Sequence, residues 1–215
     1  LGKLIKRIFK DVKKLERLRL SSLDAIEIDK DLIDIICHEK RLMPHLHLSI
    51  QSGDNIILKR MKRRHLREDV IKLCGDLKKF RNNMVFGADI IAGFPTETKS
   101  MFENTKKILD ECDLTYLHIF PYSNRPNTPA SKMPQISKEV IKERAKILRN
   151  KANKKMKIFL KNQINKTHRV LLEKQSEGHS ENFIPIISKS KHKIGDIVSL
   201  KGKCINNEKL VAQAI

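Results

Sequence analysis

The sequence predicts an α/β architecture, a partial (β/α) barrel of four strand-helix units followed by a small all-β module. Three observations carry this expectation. Segments of period two alternate with segments of period three to four between positions 17 and 122, the rhythm of a parallel sheet with right-handed crossovers. Those strands carry apolar residues on one face and polar ones on the other, as a barrel strand does when its outer face packs on helices and its inner face lines a site. From His168 onward the rhythm changes to short strands divided by Gly178, Gly195 and Asn206-Asn207, the spacing of a compact β barrel. The expected divisions are 1–135 for the partial barrel, 136–166 for a basic helical connector and 167–215 for the β module.

In chain order, Leu4, Ile5, Ile8, Phe9, Val12 and Leu15 follow helical spacing. Arg17 to Ser22 (RLRLSS) alternates and is expected as a first strand. Asp29 is an N-cap candidate for a helix carrying Leu32, Ile33 and Ile36. His45 to Gln51 (HLHLSIQ) is the clearest strand, with Leu46, Leu48 and Ile50 opposite His45, His47 and Ser49. Ser52-Gly53 breaks it, and one long basic helix is expected from there to about Arg81. A third strand spans Val85 to Ala92, Thr98 caps the next helix, and a fourth strand spans Thr115 to Tyr122. Ser123 to Pro134 is a Pro- and Asn-rich loop on the face where barrel sites form. A helix follows from Ser137 to about Lys161. In the β module the expected strands are Arg169 to Glu173, Phe183 to Ile187, Ile197 to Leu200 and Lys209 to Ala214. Four units do not close a barrel, so further strands are expected to precede Leu1 or come from another chain.

The 215 residues are 40% hydrophobic and carry a formal charge of +20. Such an excess favours polyanions, nucleic acid first; lysine-rich compositional drift would give the same total. Two concentrations stand out: Lys59, Arg60, Lys62, Arg63, Arg64 and Arg67 without an intervening acid, and Lys138 to Arg169, which holds twelve Lys/Arg against Glu139 and Glu143. Cys37, Cys74, Cys112 and Cys204 show no metal-ligand spacing and read as structural thiols. No apolar run reaches the roughly 20 residues of a membrane span, and the expected location is cytoplasmic.

The chemistry-bearing residues lie at the strand ends. Gln51-Ser52-Gly53 offers an amide, a hydroxyl and exposed backbone to a polar cofactor. Asp89 to Pro95 (DIIAGFP) offers an apolar strand end where Gly93 lets a ring approach the backbone. His45 and His47 alone are weak evidence for a metal or acid–base site; mutual hydrogen bonding of polar lining groups is the plainer reading. No metal site and no catalytic residue is assigned, and no phosphate loop or dinucleotide fingerprint is present.

RLRLSS, HLHLSIQSG followed by LKRMKRRH, DIIAGFPTET and FPYSNRPNTPA come in the order found in the radical S-adenosylmethionine methylthiotransferases that modify tRNA. The chain resembles the carboxy-terminal part of such an enzyme over Arg17 to Ala130, and its end resembles the small RNA-binding (TRAM-like) domain of that family. RLRLSS and HLHLSIQSG are more like the branch acting on N6-threonylcarbamoyladenosine beside the anticodon than the isopentenyladenosine branch. The resemblance implies a radical-SAM-type partial barrel, S-adenosylmethionine and 4Fe-4S iron–sulfur clusters. It implies that Gln51 and Ser52 face S-adenosylmethionine, that Ile91, Ala92 and Gly93 flank its adenine, and that Arg19, beside Arg17, pairs with its carboxylate or the target nucleotide. Arg125 would meet the tRNA anticodon arm, and Arg60, Arg63, Arg64 and Arg169 would bind RNA. Thr96 and Asn127 stand where the family usually has glycine, with two turns expected to change. The CxxxCxxC triplet that binds the radical cluster is absent, so the chain alone is expected to hold no cluster and to need an amino-terminal segment or partner chain carrying CxxxCxxC. An alternative is an inactive remnant that binds RNA.

Overall fold

Alternation at His45 is satisfied on both faces of a parallel sheet. β1 (His45–Gln51) pairs with β2 (Val85–Ala92), and β2 pairs with β3 (Leu114–Pro121). Leu46, Leu48 and Ile50 join Phe86, Ala88, Ile90 and Leu114 in a core from which solvent is excluded. Each buried Leu, Ile or Phe side chain among them contributes about 1.5–3 kcal/mol. The computed structural model describes residues 1–215 and divides into two compact units, Leu1–Ala152 and Asn153–Ile215. No helix is long and apolar enough to cross a membrane.

In the first unit, α1 (Gly2–Asp11) and α2 (Lys30–His38) bury Ile5, Phe9, Leu32, Ile35 and Ile36. Asp29 caps α2 by accepting from the Leu32 N–H at 2.7 Å. α3 (Asn55–Arg60) and α4 (Arg67–Phe80) connect β1 to β2, and α5 (Lys99–Glu111), capped by Thr98, connects β2 to β3. α6 (Lys138–Lys161) begins in this unit, where Ala145 and Leu148 are buried. The division between units falls within α6, inside the segment expected as a connector.

Three elements differ from the sequence expectation. The first helix ends at Asp11 rather than reaching Leu15. RLRLSS is not a strand, so three strands stand where four were expected. The chain from Leu18 to Leu23 runs beside β1 and the residues before it, with two isolated parallel bridges, Leu18 with Leu42 ahead of β1 and Leu23 with Leu48 within it. Five steps on one side face six on the other, and the longer side contains Pro44, which has no N–H to give. The registers slip by one and the ladder cannot continue. The single basic helix is two helices. His65 turns inward between them, its Nδ1 3.0 Å from Asp24 Oδ1 and its Nε2 3.3 Å from the Ile50 carbonyl. Lys62 takes a left-handed φ of 57°, and α4 restarts where Asp69 accepts from the Leu66 N–H at 2.8 Å.

The second unit is a closed barrel of order β4-β5-β6-β8-β7, formed by β4 (Thr167–Lys174), β5 (Glu177–Ser180), β6 (Pro185–Ser188), β7 (Ile197–Asn206) and β8 (Lys209–Ala214). β7 returns to pair with β4. Leu160, Val170, Leu172, Ile186, Leu200 and Leu210 fill the interior, with Met156 and Phe159 of α6 against them. The unexpected strand is β5, because Gly178 reads as a divider in the sequence. It lies inside the strand, where a Cβ would sit 1.9 Å from the Leu171 carbonyl oxygen. Absence of a side chain here is a packing requirement.

Candidate functional site at the strand ends

β1, β2 and the end of β3 open at their C-terminal ends onto a cavity of ≈ 480 Å³. Gln51, Asp89, Ile91, Phe94, Tyr122 and Arg125 contribute to its walls. Position in the fold explains this convergence, since parallel strands deliver their C-terminal residues to one rim and the loops that follow complete it. Gln51 ends β1 with a left-handed φ of 68° at a break in the β1–β2 register. The turn carries its amide away from the ladder and onto the cavity. Phe94 and Tyr122 meet edge to face, with ring centroids 5.4 Å apart.

The structure separates the other predicted cofactor-facing residues. Ser52 is fully buried, its hydroxyl 3.3 Å from Thr105 Oγ1 and accepting from the Asp54 N–H at 3.2 Å. It anchors α5 behind the sheet rather than facing the cavity. Ile91 lines the cavity, whereas Ala92 faces the core. Gly93 has a φ of 76°, and the space a Cβ would need is already occupied by Ile141 of α6, 2.7 Å away. The close approach that glycine permits here is used by a helix. Behind this turn Glu97 accepts from the Gly93 N–H at 3.1 Å and from Arg144 Nη1 at 2.6 Å. Burial pushes the Glu97 carboxyl up, and the Arg144 guanidinium partly offsets that push.

Thr96 and Asn127 keep left-handed φ values of 69° and 65°. Both positions thus take a backbone conformation that favours glycine without having one. Thr96 is held by its N–H to the Pro134 carbonyl, 3.1 Å, and by Arg60 Nη1 on its hydroxyl, 2.5 Å.

On the sheet face opposite the core, His47 Nε2 and His118 Nδ1 lie 3.0 Å and 3.1 Å from the same oxygen, Asp89 Oδ1. The sequence expectation is a hydrogen bond between His45 and His47; instead His47 is joined through Asp89 to His118 on the third strand. Sequence reading of single strands missed His118. The signal was its alternation with Tyr116 and Phe120 on the neighbouring strand. Gly87 makes room for His47, whose Nδ1 lies 2.6 Å from where a Cβ would stand.

The basic residues divide by environment. Arg60 and Arg64 are exposed, Arg64 pairing with Glu27 at 2.7 Å. Arg63 instead turns inward, donating to the Ser49 carbonyl at 2.7 Å and pairing with Asp24 at 3.0 Å. Arg19 is half-buried, its charge countering part of the upward push that burial places on the Tyr116 phenol. Arg125 is exposed at the cavity rim. Arg169 is exposed on β4 and lies 3.6 Å from Glu181. Of the bases on α6, Arg144, Arg149 and Lys151 are tied to Glu97, the Ile119 carbonyl and Asp110.

The cavity suits S-adenosylmethionine in kind, with an apolar wall for a base, the Gln51 amide, and a buried Tyr122 hydroxyl without a hydrogen-bond partner. The cysteines do not suit an iron–sulfur cluster. Cys74 and Cys112 are buried against each other, and their contact and burial push the Cys74 thiol up, the opposite of a ready thiolate. Cys37 is half-buried, and Cys204 is exposed on β7 of the other unit.

A profile of the radical SAM superfamily matches residues 3–109. The chain is 52% identical over 185 residues to the threonylcarbamoyladenosine tRNA methylthiotransferase MtaB of Rickettsia prowazekii, covering 86% of this chain and 44% of that protein. It is 37% identical over 185 residues to the Aquifex aeolicus protein of the same name, covering 86% and 45%. The tRNA-2-methylthio-N(6)-dimethylallyladenosine synthase of Neorickettsia sennetsu is 32% identical over 205 residues, covering 94% and 43%. Among solved structures, coproporphyrinogen III oxidase (HemN) of Escherichia coli matches with a TM-score of 0.58 at 14% identity, covering 94% of this chain and 51% of that one; at that identity the likeness concerns the fold. The chain spans less than half the length of these curated relatives, and within that span it belongs to the radical S-adenosylmethionine tRNA methylthiotransferase family.

Proposed function

We propose that the chain is the carboxy-terminal part of a tRNA methylthiotransferase that adds a methylthio group to C2 of N6-threonylcarbamoyladenosine next to the anticodon. The observation that carries this reading is the 52% identity to the Rickettsia prowazekii enzyme across 86% of the chain. In this reading the cavity holds S-adenosylmethionine, with Gln51 on its polar end and Ile91 and Phe94 on its base. S-adenosylmethionine, when bound, supplies the radical and sulfur-methylating chemistry. The iron–sulfur clusters belong to an amino-terminal segment or chain carrying CxxxCxxC. The Arg125 loop meets the anticodon arm at the cavity rim. The β barrel is a TRAM-like RNA-binding module, with Arg169 on its surface, and the work is done in the cytoplasm, where the tRNA is.

The cysteine environments favour a second reading, a non-catalytic RNA-binding remnant. Mixing the chain with a separately expressed CxxxCxxC segment from a relative, adding S-adenosylmethionine and threonylcarbamoyladenosine-bearing tRNA, and analysing nucleosides by mass spectrometry separates the two. Methylthiolated nucleoside in the mixture supports the enzyme reading. Tight tRNA binding with no product supports the remnant.

The basic surface gives a finer test. Replacing exposed Lys59, Arg60 and Lys62 together is expected to flatten the plot of log K for tRNA against log salt by about two to three units, since each phosphate contact adds roughly 0.7 to 0.9. Arg63→Ala is expected to leave the slope alone and lower stability, because its guanidinium is engaged inside the fold. Arg125→Ala should reduce discrimination between anticodon arms more than overall affinity.

A further inference from the structure

We propose that His47, Asp89 and His118 form a binding site for one divalent first-row transition metal ion. Three adjacent strands each deliver one side chain to the same point: β1 gives His47, β2 gives Asp89 and β3 gives His118, the last two being direct register partners. The ligand-capable atoms of the three lie within 4.8 Å of one another. Two imidazoles and one carboxylate, with the remaining directions open, are a donor set that first-row divalent ions accept. The spacing agrees with that chemistry. Two neighbouring ligands bonded at about 2.1 Å to one ion in an octahedral arrangement stand about 3.0 Å apart; His47 Nε2 and His118 Nδ1 stand 3.0 Å and 3.1 Å from Asp89 Oδ1.

The site combines a fixed wall and a movable one. His47 has 11% of its side chain exposed and sits in the space that Gly87 leaves empty. His118 has 63% exposed, so its ring can swing to close the imidazole–imidazole edge onto an ion. The two rings already face each other across Asp89, with centroids 4.8 Å apart and planes tilted by 34°. Asp89 also belongs to the wall of the strand-end cavity. An ion held here would therefore have open coordination positions within reach of a group bound in that cavity. The site uses no cysteine and is independent of the tRNA reading.

The test is a titration of the full chain, in a Cys204→Ser background, with Co²⁺ as a spectroscopic probe and Zn²⁺ as a competitor. One equivalent of Co²⁺ should develop ligand-field absorption, and Zn²⁺ should displace it. His118→Ala and Asp89→Asn should each weaken binding by about tenfold or more, since even the residues that merely orient metal ligands are worth 10–100-fold. His118 is at the exposed rim, so its variant is expected to retain the far-ultraviolet circular dichroism of the parent and decides the matter if His47→Ala misfolds. Absence of stoichiometric absorption, or affinity unchanged in a folded His118→Ala chain, would overturn the proposal.

Discussion

The two units solve the problem of sheet edges in opposite ways. The β barrel of residues 153–215 returns on itself, β7 pairing with β4, so that no strand is left without neighbours on both sides. The parallel sheet of the first unit ends at β1 and β3. Its β1 edge meets no further strand and is touched by an isolated parallel bridge, Leu23 with Leu48, just after the RLRLSS segment. The comparison teaches where each unit keeps its order. The barrel depends on a closed ring of strand pairing, antiparallel except between β6 and β8, and on close backbone approach, whereas the sheet depends on helices, caps and a few buried polar ties that fix the turns at its strand ends.

The largest expected effect tests those ties. Arg144→Ala leaves Glu97 buried with its strongest charge partner removed, and breaking such a pair costs about 3–5 kcal/mol. Thermal unfolding of the full chain should show a large loss, with hydrogen exchange rising in β2 and α5 before it rises in the barrel. Equal loss in both units would break the distinction. A smaller effect is expected in the barrel from Gly178→Ala. The added Cβ meets the Leu171 carbonyl at 1.9 Å, and overpacking of this kind costs about 1–3 kcal/mol. Its exchange signature should be the reverse, confined to β4 and β5.

The smallest effect is a pH dependence confined to the barrel. His168 is buried beside the Gln163 carbonyl, and burial holds its pKa below the usual 6.5. The unfolded chain therefore takes up this proton at higher pH than the folded one. Its contribution to stability is full above 6.5 and is lost as pH falls through the depressed folded value. Denaturant titrations from neutral to mildly acid pH should show this loss, and His168→Gln should reduce it. An unchanged pH profile in the variant would show that the barrel does not hold His168 neutral.

What was legible in the sequence follows the range of the forces involved. Periodicity located β1, α2, β2, α5, β3 and α6 because burial of one face is a local pattern, and Asp29 and Thr98 cap their helices as expected because capping acts over three residues. RLRLSS has the same alternation, but whether it pairs depends on the length and the proline of a segment distant in sequence. The break at His65 depends on Asp24, forty-one residues away. At the site, Gln51 and Arg125 reach the cavity because strand ends and the loops after them must lie there. Ser52 and Gly93 each offer what a ligand needs, and in the fold each also meets a packed helix, through Thr105 and Ile141, a contact that lies beyond the reach of local pattern. The Asp89 pairing with two histidines required knowing the order of the strands.

Thr96 shows how a left-handed turn can be held without glycine. Where the Pro134 carbonyl holds the Thr96 N–H, a residue with a costly conformation is tolerated, and its side chain can do work that a glycine could not. Here that work is to hold Arg60. Any anion that recruited Arg60 would have to compete with the Thr96 hydroxyl for the guanidinium. The exposed charge of Arg60 is therefore tied to the backbone geometry of a left-handed turn.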